Sequence, residues 1–342
     1  MDWALLLTIG FVGIAIFFDF TNGFHDAANA IGPAVGNRAL RPGTALAVSA
    51  TFNLIGAVVG WLLGSGVART VQDVTNPPDG YDGLALVTAA VVGAICWNLI
   101  TWRFGIPSSS THALIGAVVG ASLVAGTTVQ WDTVWNKVVV PMVTSPLVGL
   151  IGAFLLMRLF VVFLRNRDPR RTGGAFRSAE RFSAAALSLG HGMQDAQKTM
   201  GVIVLVLVSM GYLTADEPMP VWVVLVAAGA ISAGTAVGGR RIMKTLGGKI
   251  SDPNPARGFA AESVSSGVLY ATALGLQAPV STTQVITGGV IGAGLEKRRS
   301  NVRWRVGLNI VYAWILTLPM AAAVAAAVMF VLSLTFGLNA SD

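Results

Sequence analysis

The sequence predicts an all-α polytopic membrane protein, with two inverted-topology repeats that contain broken helices and helical hairpins. Three observations support this fold class: the composition, a duplicated pair of motifs and the placement of charged residues. Of the 342 residues, 54% are hydrophobic and only 11% are charged, and the mean hydropathy is +0.69. Because a soluble domain carries about 25% charged residues, we expect this chain to lie in a lipid bilayer.

Two motifs occur twice in the same order along the chain. The segment 22–32 (NGFHDAANAIG) returns as 191–201 (HGMQDAQKTMG), and the segment 107–112 (PSSSTH) returns as 279–284 (PVSTTQ). The two second copies follow their first copies at nearly the same distance along the chain. Since this distance is close to half the chain length, we predict a duplication of one structural unit.

The predicted units are a first inverted repeat over 1–164, a basic cytoplasmic linker over 165–181 and a second inverted repeat over 182–342. A membrane-spanning helix needs about 20 apolar residues. Apolar runs of about this length, or of about half of it, predict helices over 3–36, 43–64, 84–102, 108–124, 131–144, 147–164, 182–213, 220–239, 257–277, 281–295 and 306–335.

Breaks are predicted where polar residues or prolines interrupt the apolar runs. Asp19 and the polar segment 21–26 predict an unwound centre in the first helix, and the repeated motif predicts the same for 182–213. Proline has no backbone N–H and ends a helix. Pro107 and Pro279 therefore predict that the runs on either side of each form a helical hairpin.

Charged residues are confined to short segments between the apolar runs, so the net charge of +7 does not indicate nucleic acid as a partner. The linker contains six arginines, and Lys and Arg are enriched on the cytoplasmic side of membrane proteins. If the linker lies in the cytoplasm, the basic loops 38–41, 240–249 and 297–305 also lie there. The acidic loops 65–83 and 214–218 then lie outside. The two repeats then have opposite orientations, with both chain termini outside the cell inner (plasma) membrane.

Asp26 and Asp195 are the strongest candidate site residues, because an ionised carboxylate in hydrocarbon costs about 3 kcal/mol or more. A cation or a proton must neutralise Asp26, and Asn29 on the same helical turn is a neutral ligand for it. Asp195 has an alternative, structural role, since Lys198 is three residues later and could form an ion pair with it. Lys198 could also replace a cation or contact an anion. His25 could relay protons to Asp26.

Each proline-marked break is followed by hydroxyl side chains at the start of a helix: Ser109, Ser110 and Thr111, and then Ser281, Thr282 and Thr283. One hydroxyl can serve as an N-cap, but three in a row exceed what one cap requires. A helix start offers free N–H groups and the positive end of the helix dipole. The two motifs therefore predict a site for an oxyanion such as phosphate or sulfate.

An oxyanion beside two carboxylates is strongly repelled in a medium of low dielectric constant. Cations or protons must offset this repulsion, so the residues predict cation-coupled anion uptake. A tightly bound metal is not expected, because the three histidines lack a short ligand spacing. A passive anion channel is an alternative. So is an intramembrane hydrolase with His112 beside Ser110, although Gln284 at the equivalent position of the second repeat favours binding over catalysis.

The motifs around Asp26 and Asp195, together with the two hydroxyl motifs, resemble those of the inorganic phosphate transporter (PiT) family over nearly the whole chain. The resemblance implies a secondary active transporter, a symporter of inorganic phosphate coupled to H⁺ or Na⁺. It implies no other cofactor and a homodimer. It places Na⁺ or a proton at Asp26, Asn29 and Asp195, and phosphate at the six hydroxyl residues. A sulfate permease of the same fold is the alternative within transport.

Four positions differ from the usual pattern of that family. His25 and Gln194 stand where an asparagine usually precedes the aspartate. Lys198 stands where a small polar residue could ligate sodium, and Gln284 replaces a histidine. The first repeat resembles the bacterial low-affinity branch, which is linked with protons and with metal–phosphate complexes. The resemblance therefore leaves both H⁺ and Na⁺ as coupling ions.

Overall fold

The computed structural model describes residues 2–238, 240–296 and 302–336. The predicted basic loop at 297–299 and the predicted outer position of the C-terminus lie outside these described residues. Within them, regular structure is helical apart from two isolated β-bridges. The prediction of an all-α protein is confirmed.

The helices of the first half are α1 (Trp3–Gly36), α2 (Pro42–Leu63), α3 (Gly66–Gln72), α4 (Tyr81–Phe104), α5 (Ser110–Ala125), α6 (Trp131–Val134) and α7 (Val140–Leu164). Those of the second half are α8 (Pro169–Ser209), α9 (Val221–Val237), α10 (Arg240–Lys244), α11 (Pro255–Ala271), α12 (Thr282–Leu295) and α13 (Trp304–Phe336). Three π-helical turns adjoin them at Trp135–Val139, Thr245–Lys249 and Thr272–Leu276.

Several helices are long and apolar enough to cross a membrane. Five of the described helical runs meet this condition: α1, α2, α4, the continuous run Trp131–Leu164 and α13. A sixth is added if the bent pair Val221–Val237 and Ile242–Lys249 forms one span. The chain is therefore a multi-pass membrane protein.

The packing of the long helices repeats between the two halves. Gly56 on α2 contacts the backbone carbonyl of Leu189 on α8, and Gly234 on α9 contacts that of Phe20 on α1. In each case a glycine on the second long helix of one half faces the first long helix of the other half. A Cβ at either glycine would overlap the facing carbonyl oxygen, so small residues set the same close helix approach twice.

The short helices α5 and α12 also pack through a glycine against a long helix of the other half. Gly116 on α5 contacts the backbone of Leu318 on α13, and Gly288 on α12 contacts that of Pro146 on α7. The two glycines follow their proline breaks at the same spacing, since each is nine positions after the proline that precedes its helix. Each short helix thus packs against the last long helix of the other half, which joins the halves into one core.

α1 and α8, the first helices of the two halves, run antiparallel. Asn22 near the middle of α1 donates to Asp195, whereas Asn37 at its end donates to Glu180. Residue numbers thus rise along α1 as they fall along α8. Opposite directions for equivalent helices are what two inverted repeats require.

The predicted unwound centres were wrong. α1 and α8 each run without a break over 34 and 41 residues. Their polar side chains are buried, and Asn22, Asp26 and Asp195 among them bond to other side chains within continuous helices. The predicted linker is also mostly helical, because α8 begins at Pro169. The predicted separate helices over 131–144 and 147–164 form one run, since a membrane helix tolerates a proline such as Pro146 when its surroundings satisfy the freed carbonyl.

The two proline-marked breaks are present as predicted. Gly105 ends α4 in the left-handed conformation (φ +66°), and Gln277 does the same after Leu276 (φ +50°). Pro107 and Pro279 follow these residues, so neither helix can continue. Each break leads directly into a short helix, α5 or α12, whose start lies inside the protein.

Candidate functional site

Four elements meet at the centre of the molecule: the middles of α1 and α8 and the starts of α5 and α12. Ser110 at the start of α5 donates to Asp26 Oδ2 at 2.9 Å and lies 3.5 Å from Asp195 Oδ2. Asp26 and Asp195 are 2% and 1% exposed. The two predicted acids therefore share one buried site, and a hydroxyl of the first predicted anion motif lies between them.

Asp26 ties α1 to the start of α12. Its Oδ1 lies 2.8 Å from His25 Nδ1 and accepts from Asn29 Nδ2 at 2.9 Å. Asn29 also donates to Thr283 Oγ1 at 2.7 Å, and Thr283 lies 3.4 Å from Asp26 Oδ1. The predicted partner Asn29 is therefore in place, and it connects the acid of one repeat to the hydroxyl motif of the other.

Asp195 has a cation of its own. Lys198 Nζ lies 2.8 Å from Asp195 Oδ2. The two residues therefore form the ion pair that the sequence offered as a structural role for Asp195. The same ammonium donates to Thr111 Oγ1 at 2.9 Å and to Ser110 Oγ at 3.3 Å. Asn22 also donates to Asp195 Oδ2, at 3.2 Å. Lys198 thus places positive charge against the hydroxyl side chains where an anion was predicted.

In both hydroxyl motifs, the first of the three predicted residues caps the helix and the next two contact other side chains of the site. Ser109 and Ser281 are N-caps, since each accepts from the backbone N–H three residues later, at 3.2 and 3.3 Å. The capping alternative therefore holds for the first hydroxyl of each motif. The next two hydroxyls of each motif lie beside the acids, the lysine or His191, whose Nδ1 is 3.3 Å from Thr282 Oγ1.

The starts of α5 and α12 are suited to an anion. The first N–H groups of a helix have no intrahelical partner, and the positive end of the helix dipole adds to their attraction for negative charge. Both starts are buried and both follow a proline break. Thr111 at the first start lies 3.5 Å from the Val280 carbonyl just before the second. The two starts are therefore close neighbours, as an oxyanion site shared by the repeats would require.

His25 and Gln194 hold the hairpin breaks in place, a role that sequence reasoning missed. His25 Nε2 lies 3.2 Å from Thr101 Oγ1 and 3.4 Å from Ser108 Oγ. Gln194 donates to Thr272 Oγ1 at 2.7 Å and accepts from the backbone of the second break. These side chains occupy equivalent positions and clamp equivalent breaks, which explains why residues other than asparagine serve there.

His191 completes a group that could hold a cation. The ligand atoms of Asp26, His191 and Asp195 lie within 4.8 Å of one another. Asn29 Oδ1 and Asp195 Oδ1 are buried and have no hydrogen-bond partner in the described part of the chain. From the sequence, His191 was one of three histidines considered for a metal site, which was not expected because they lack a short ligand spacing. Its spacing of four residues from Asp195 nevertheless places both on one helix face.

The fold and this site define a class of protein. Two repeated units contribute one acid and one helix start each to a buried polar centre. This arrangement is the design of many secondary transporters, in which the site lies where the repeats meet.

Comparison with known proteins identifies the family. The model of the phosphate transporter family matches residues 22–325. The "Probable low-affinity inorganic phosphate transporter" of Rhizobium meliloti is 44% identical over 331 residues, or 96% of this chain and 97% of that relative. The relative of the same name in Bacillus subtilis is 36% identical over 338 residues, or 98% of this chain and 100% of its own length. The chain belongs to the phosphate transporter family, and the resemblance of its motifs is confirmed.

A solved structure supports the same fold. "The sodium-dependent phosphate transporter" superposes with a TM-score of 0.84 at 24% identity, over 96% of this chain and 99% of that chain. At this level of identity the likeness establishes the architecture of the membrane domain.

Proposed function

We propose that this chain is a symporter that moves inorganic phosphate across the membrane together with H⁺ or Na⁺. The observation that carries the proposal is a single contact set: the Ser110 hydroxyl lies against Asp26, Asp195 and Lys198 at the start of a buried helix. Membership of the phosphate transporter family and the names of the relatives support phosphate as the anion.

The hydroxyl motifs and Lys198 form the anion side of this mechanism. Ser110, Thr111 and Thr283 offer O–H donors, and the starts of α5 and α12 offer N–H donors. Lys198 adds a full positive charge, which strengthens hydrogen bonds to phosphate oxygens. Ser109, Ser281 and Thr282 belong to the same predicted phosphate set, the first two holding the helix starts in position by capping.

Asp26 and Asp195 form the cation side. Lys198 offsets one of the two carboxylates, so one negative charge remains before phosphate arrives. A divalent phosphate adds two more in a region of low dielectric constant, where repulsion is large. A cation at Asp26, Asn29 and Asp195 offsets this repulsion, and its binding is coupled to that of phosphate for this reason. Na⁺ fits the unpartnered oxygens of Asn29 and Asp195, and a proton fits His25 beside Asp26.

The contacts of the Ser110 hydroxyl support binding over hydrolysis. It donates to carboxylates and accepts from the lysine, so its surroundings position it as a ligand. Among the described residues, His112 Nδ1 has no hydrogen-bond partner, and the hydrogen bonds of the Ser110 hydroxyl are to Asp26, Asp195 and Lys198. We therefore assign no enzymatic activity to this site.

Uptake of radiolabelled phosphate into liposomes that contain the purified protein tests the proposal. A Na⁺ gradient and a pH gradient are imposed separately, and sulfate is added as competitor. We expect accumulation with at least one gradient and preference for phosphate. Equal competition by sulfate would indicate a sulfate permease, and flux without dependence on either cation would indicate a passive channel.

Replacement of Asp26 isolates its role in the coupling. We expect Asp26→Asn to abolish concentrative phosphate uptake, because the neutral amide cannot hold the cation that offsets the phosphate charge. Asp216→Asn, at an exposed acid in the 214–218 loop, is the matched control and should accumulate phosphate normally. Normal accumulation by Asp26→Asn would remove this acid from the mechanism.

We extend the proposal to the membrane, the orientation and the oligomeric state of the protein, and to the form in which phosphate is transported. The relatives named as low-affinity phosphate transporters support a place in the cell inner membrane, and the charge distribution supports an outer N-terminus. The family resemblance supports a homodimer and transport of phosphate as a metal complex. Light scattering of the detergent-solubilised protein tests the dimer, and uptake with and without a divalent metal chelator tests the metal complex.

A further inference from the structure

Asp19 is a buried acid that the phosphate mechanism above does not use. It lies on α1 two turns before Asp26, and the helical spacing places it on the same face as Asn22 and Asp26. Its side chain is 0% exposed, and neither carboxyl oxygen has a hydrogen-bond partner in the described part of the chain. A buried, ionised carboxylate without donors is very costly, so this acid needs a neutralising partner.

Two neighbouring side chains also have unused oxygen atoms. Asn22 and Thr199 are polar side chains beside the Asp19 carboxyl, and within the described residues Asn22 Oδ1 and Thr199 Oγ1 lack hydrogen-bond partners. The amide oxygen can only accept a hydrogen bond. A proton on Asp19 provides the donor for Asn22, and the Thr199 hydroxyl can donate to the other carboxyl oxygen. One proton thus accounts for all four unpartnered oxygen atoms.

The charges around Asp19 favour a proton over a metal cation. The charged groups that act on the Asp19 carboxyl are Asp195 and Lys198 on α8. The other titratable groups of the neighbouring site are His191 on α8, beside Asp195, and His25 and Asp26 on α1. α9 carries no titratable side chain between Val221 and Val237. The Lys198 ammonium repels a metal cation at Asp19, and such an ion would need several more oxygen ligands. A proton needs only one acceptor oxygen.

We propose that Asp19 is a second coupling carboxyl, which carries a proton while phosphate is bound and releases it when phosphate leaves. The inference rests on the proposed phosphate transport, and it names H⁺ as a coupling ion and Asp19 as its carrier. Asn22 connects this acid to the site, since its amide donates to Asp195 Oδ2 at 3.2 Å. Loss of the proton adds negative charge beside Asp195 and weakens phosphate binding. Reciprocally, bound phosphate favours protonation.

Asp19→Asn tests the transport half of this proposal, because asparagine is a neutral isostere of the protonated acid. We expect the variant to exchange phosphate across the membrane when concentrations are equal on both sides, but to lose accumulation driven by a pH gradient. In the wild type, phosphate affinity should change with pH by about 5- to 150-fold, the usual range for coupling between two sites, beyond the change that the ionisation of phosphate itself causes. Asp19→Asn should lose this dependence, and Asp216→Asn should keep it.

Infrared spectroscopy tests the protonation itself without reference to transport. The carbonyl stretch of a protonated carboxylic acid should titrate with pH in the difference spectrum between the wild type and Asp19→Asn, in which the bands of other buried acids such as Glu180 and Glu262 cancel. Asp19→Glu keeps an acid at this position and should retain the band, which separates loss of the acid from loss of the fold.

The two measurements distinguish the possible failures. If Asp19→Asn removes the band but the wild type does not transport phosphate, the proton site stands and the proposed function fails. If the wild type transports phosphate and Asp19→Asn still accumulates it in response to a pH gradient, Asp19 is not a coupling residue. An acid band that is unchanged in Asp19→Asn would also overturn the proposal.

Discussion

The charge balance of the buried site depends on one lysine. Lys198 and Asp195 are each 1% exposed and lie 2.8 Å apart. A buried ion pair adds little net stability, because the cost of desolvation offsets the attraction, but removal of one partner leaves an uncompensated charge. Lys198 therefore lies where its charge offsets that of Asp195, and in the proposed mechanism Asp26 is the acid that the transported cation neutralises.

Lys198→Met should destabilise the protein by about 3–5 kcal/mol, the usual cost of breaking a buried pair. Asp195 would then have to bind Na⁺ or a proton instead, so the thermal midpoint of the variant should become more dependent on Na⁺ concentration and pH. Thermal unfolding of the detergent-solubilised protein measures both effects. The double variant Asp195→Asn with Lys198→Met has no unpaired charge and should recover most of the stability. Equal midpoints for the single and double variants would contradict this account.

At the residue scale, sequence reasoning recovered the groups that stand out against an apolar background. Asp26 and Asp195 were found in this way, because a carboxylate in a hydrophobic run has few structural explanations. Asn22 was missed and His191 was set aside with the other histidines, since an amide or an imidazole in such a run is less unusual. Their roles follow from the packing of α1 on α8, which brings residues from the two halves of the chain into contact and which no local pattern records.

At the scale of helices, close packing depends on small residues at the crossing points. Gly234 on α9 lies against the backbone of Phe20 and Phe24 on α1, whereas Gly229 on the same helix has open space beside it. Without a hydrophobic force between helices in lipid, such close contacts supply much of the association energy. A larger side chain should therefore disturb the crossing of α1 and α9 at Gly234 but not at Gly229.

Gly234→Ala should lower stability by about 1–3 kcal/mol, the usual cost of overpacking, because its Cβ would overlap the Phe20 carbonyl. Gly229→Ala is the matched control on α9. It should be neutral or stabilising by up to about 1 kcal/mol, since alanine has the higher helix propensity. Thermal midpoints of the two purified variants measure the difference. Equal loss of stability in both would show that the close crossing at Gly234 does not determine the effect.

The helix breaks show which local signals are reliable. Pro107 and Pro279 marked real breaks, because proline removes a backbone donor and a residue two positions earlier turns into the left-handed region. Polar residues did not mark breaks. Asp19 and its neighbours were expected to unwind α1, yet the helix is intact, with Asn22 bonded to Asp195 on α8 and Asp26 bonded to Ser110 on α5. Covalent geometry is local and can be predicted, whereas the satisfaction of a polar side chain depends on distant partners.

At the scale of the whole molecule, the antiparallel course of α1 and α8 agrees with an independent signal in the charges. The basic segments 38–41 and 165–181 and the acidic segment 214–218 were assigned to sides by the positive-inside rule alone. Inversion places the connection after α1 inside and the equivalent connection after α8 outside. The contacts between α1 and α8 and the charges of the segments that connect the helices therefore both favour opposite orientations of the two halves.

Labelling of single cysteines in intact cells tests this orientation. In a Cys96→Ala background, Arg41→Cys and Asp216→Cys place exposed thiols in the equivalent connections of the two halves, and Asn166→Cys places one in the basic segment. A membrane-impermeant maleimide should label Asp216→Cys alone, because lysine- and arginine-rich segments stay in the cytoplasm. Permeabilised cells should label all three, which controls for reactivity. If Arg41→Cys and Asp216→Cys react from the same side, the two halves are not inverted, and a shared site built from opposed helix starts loses its structural basis.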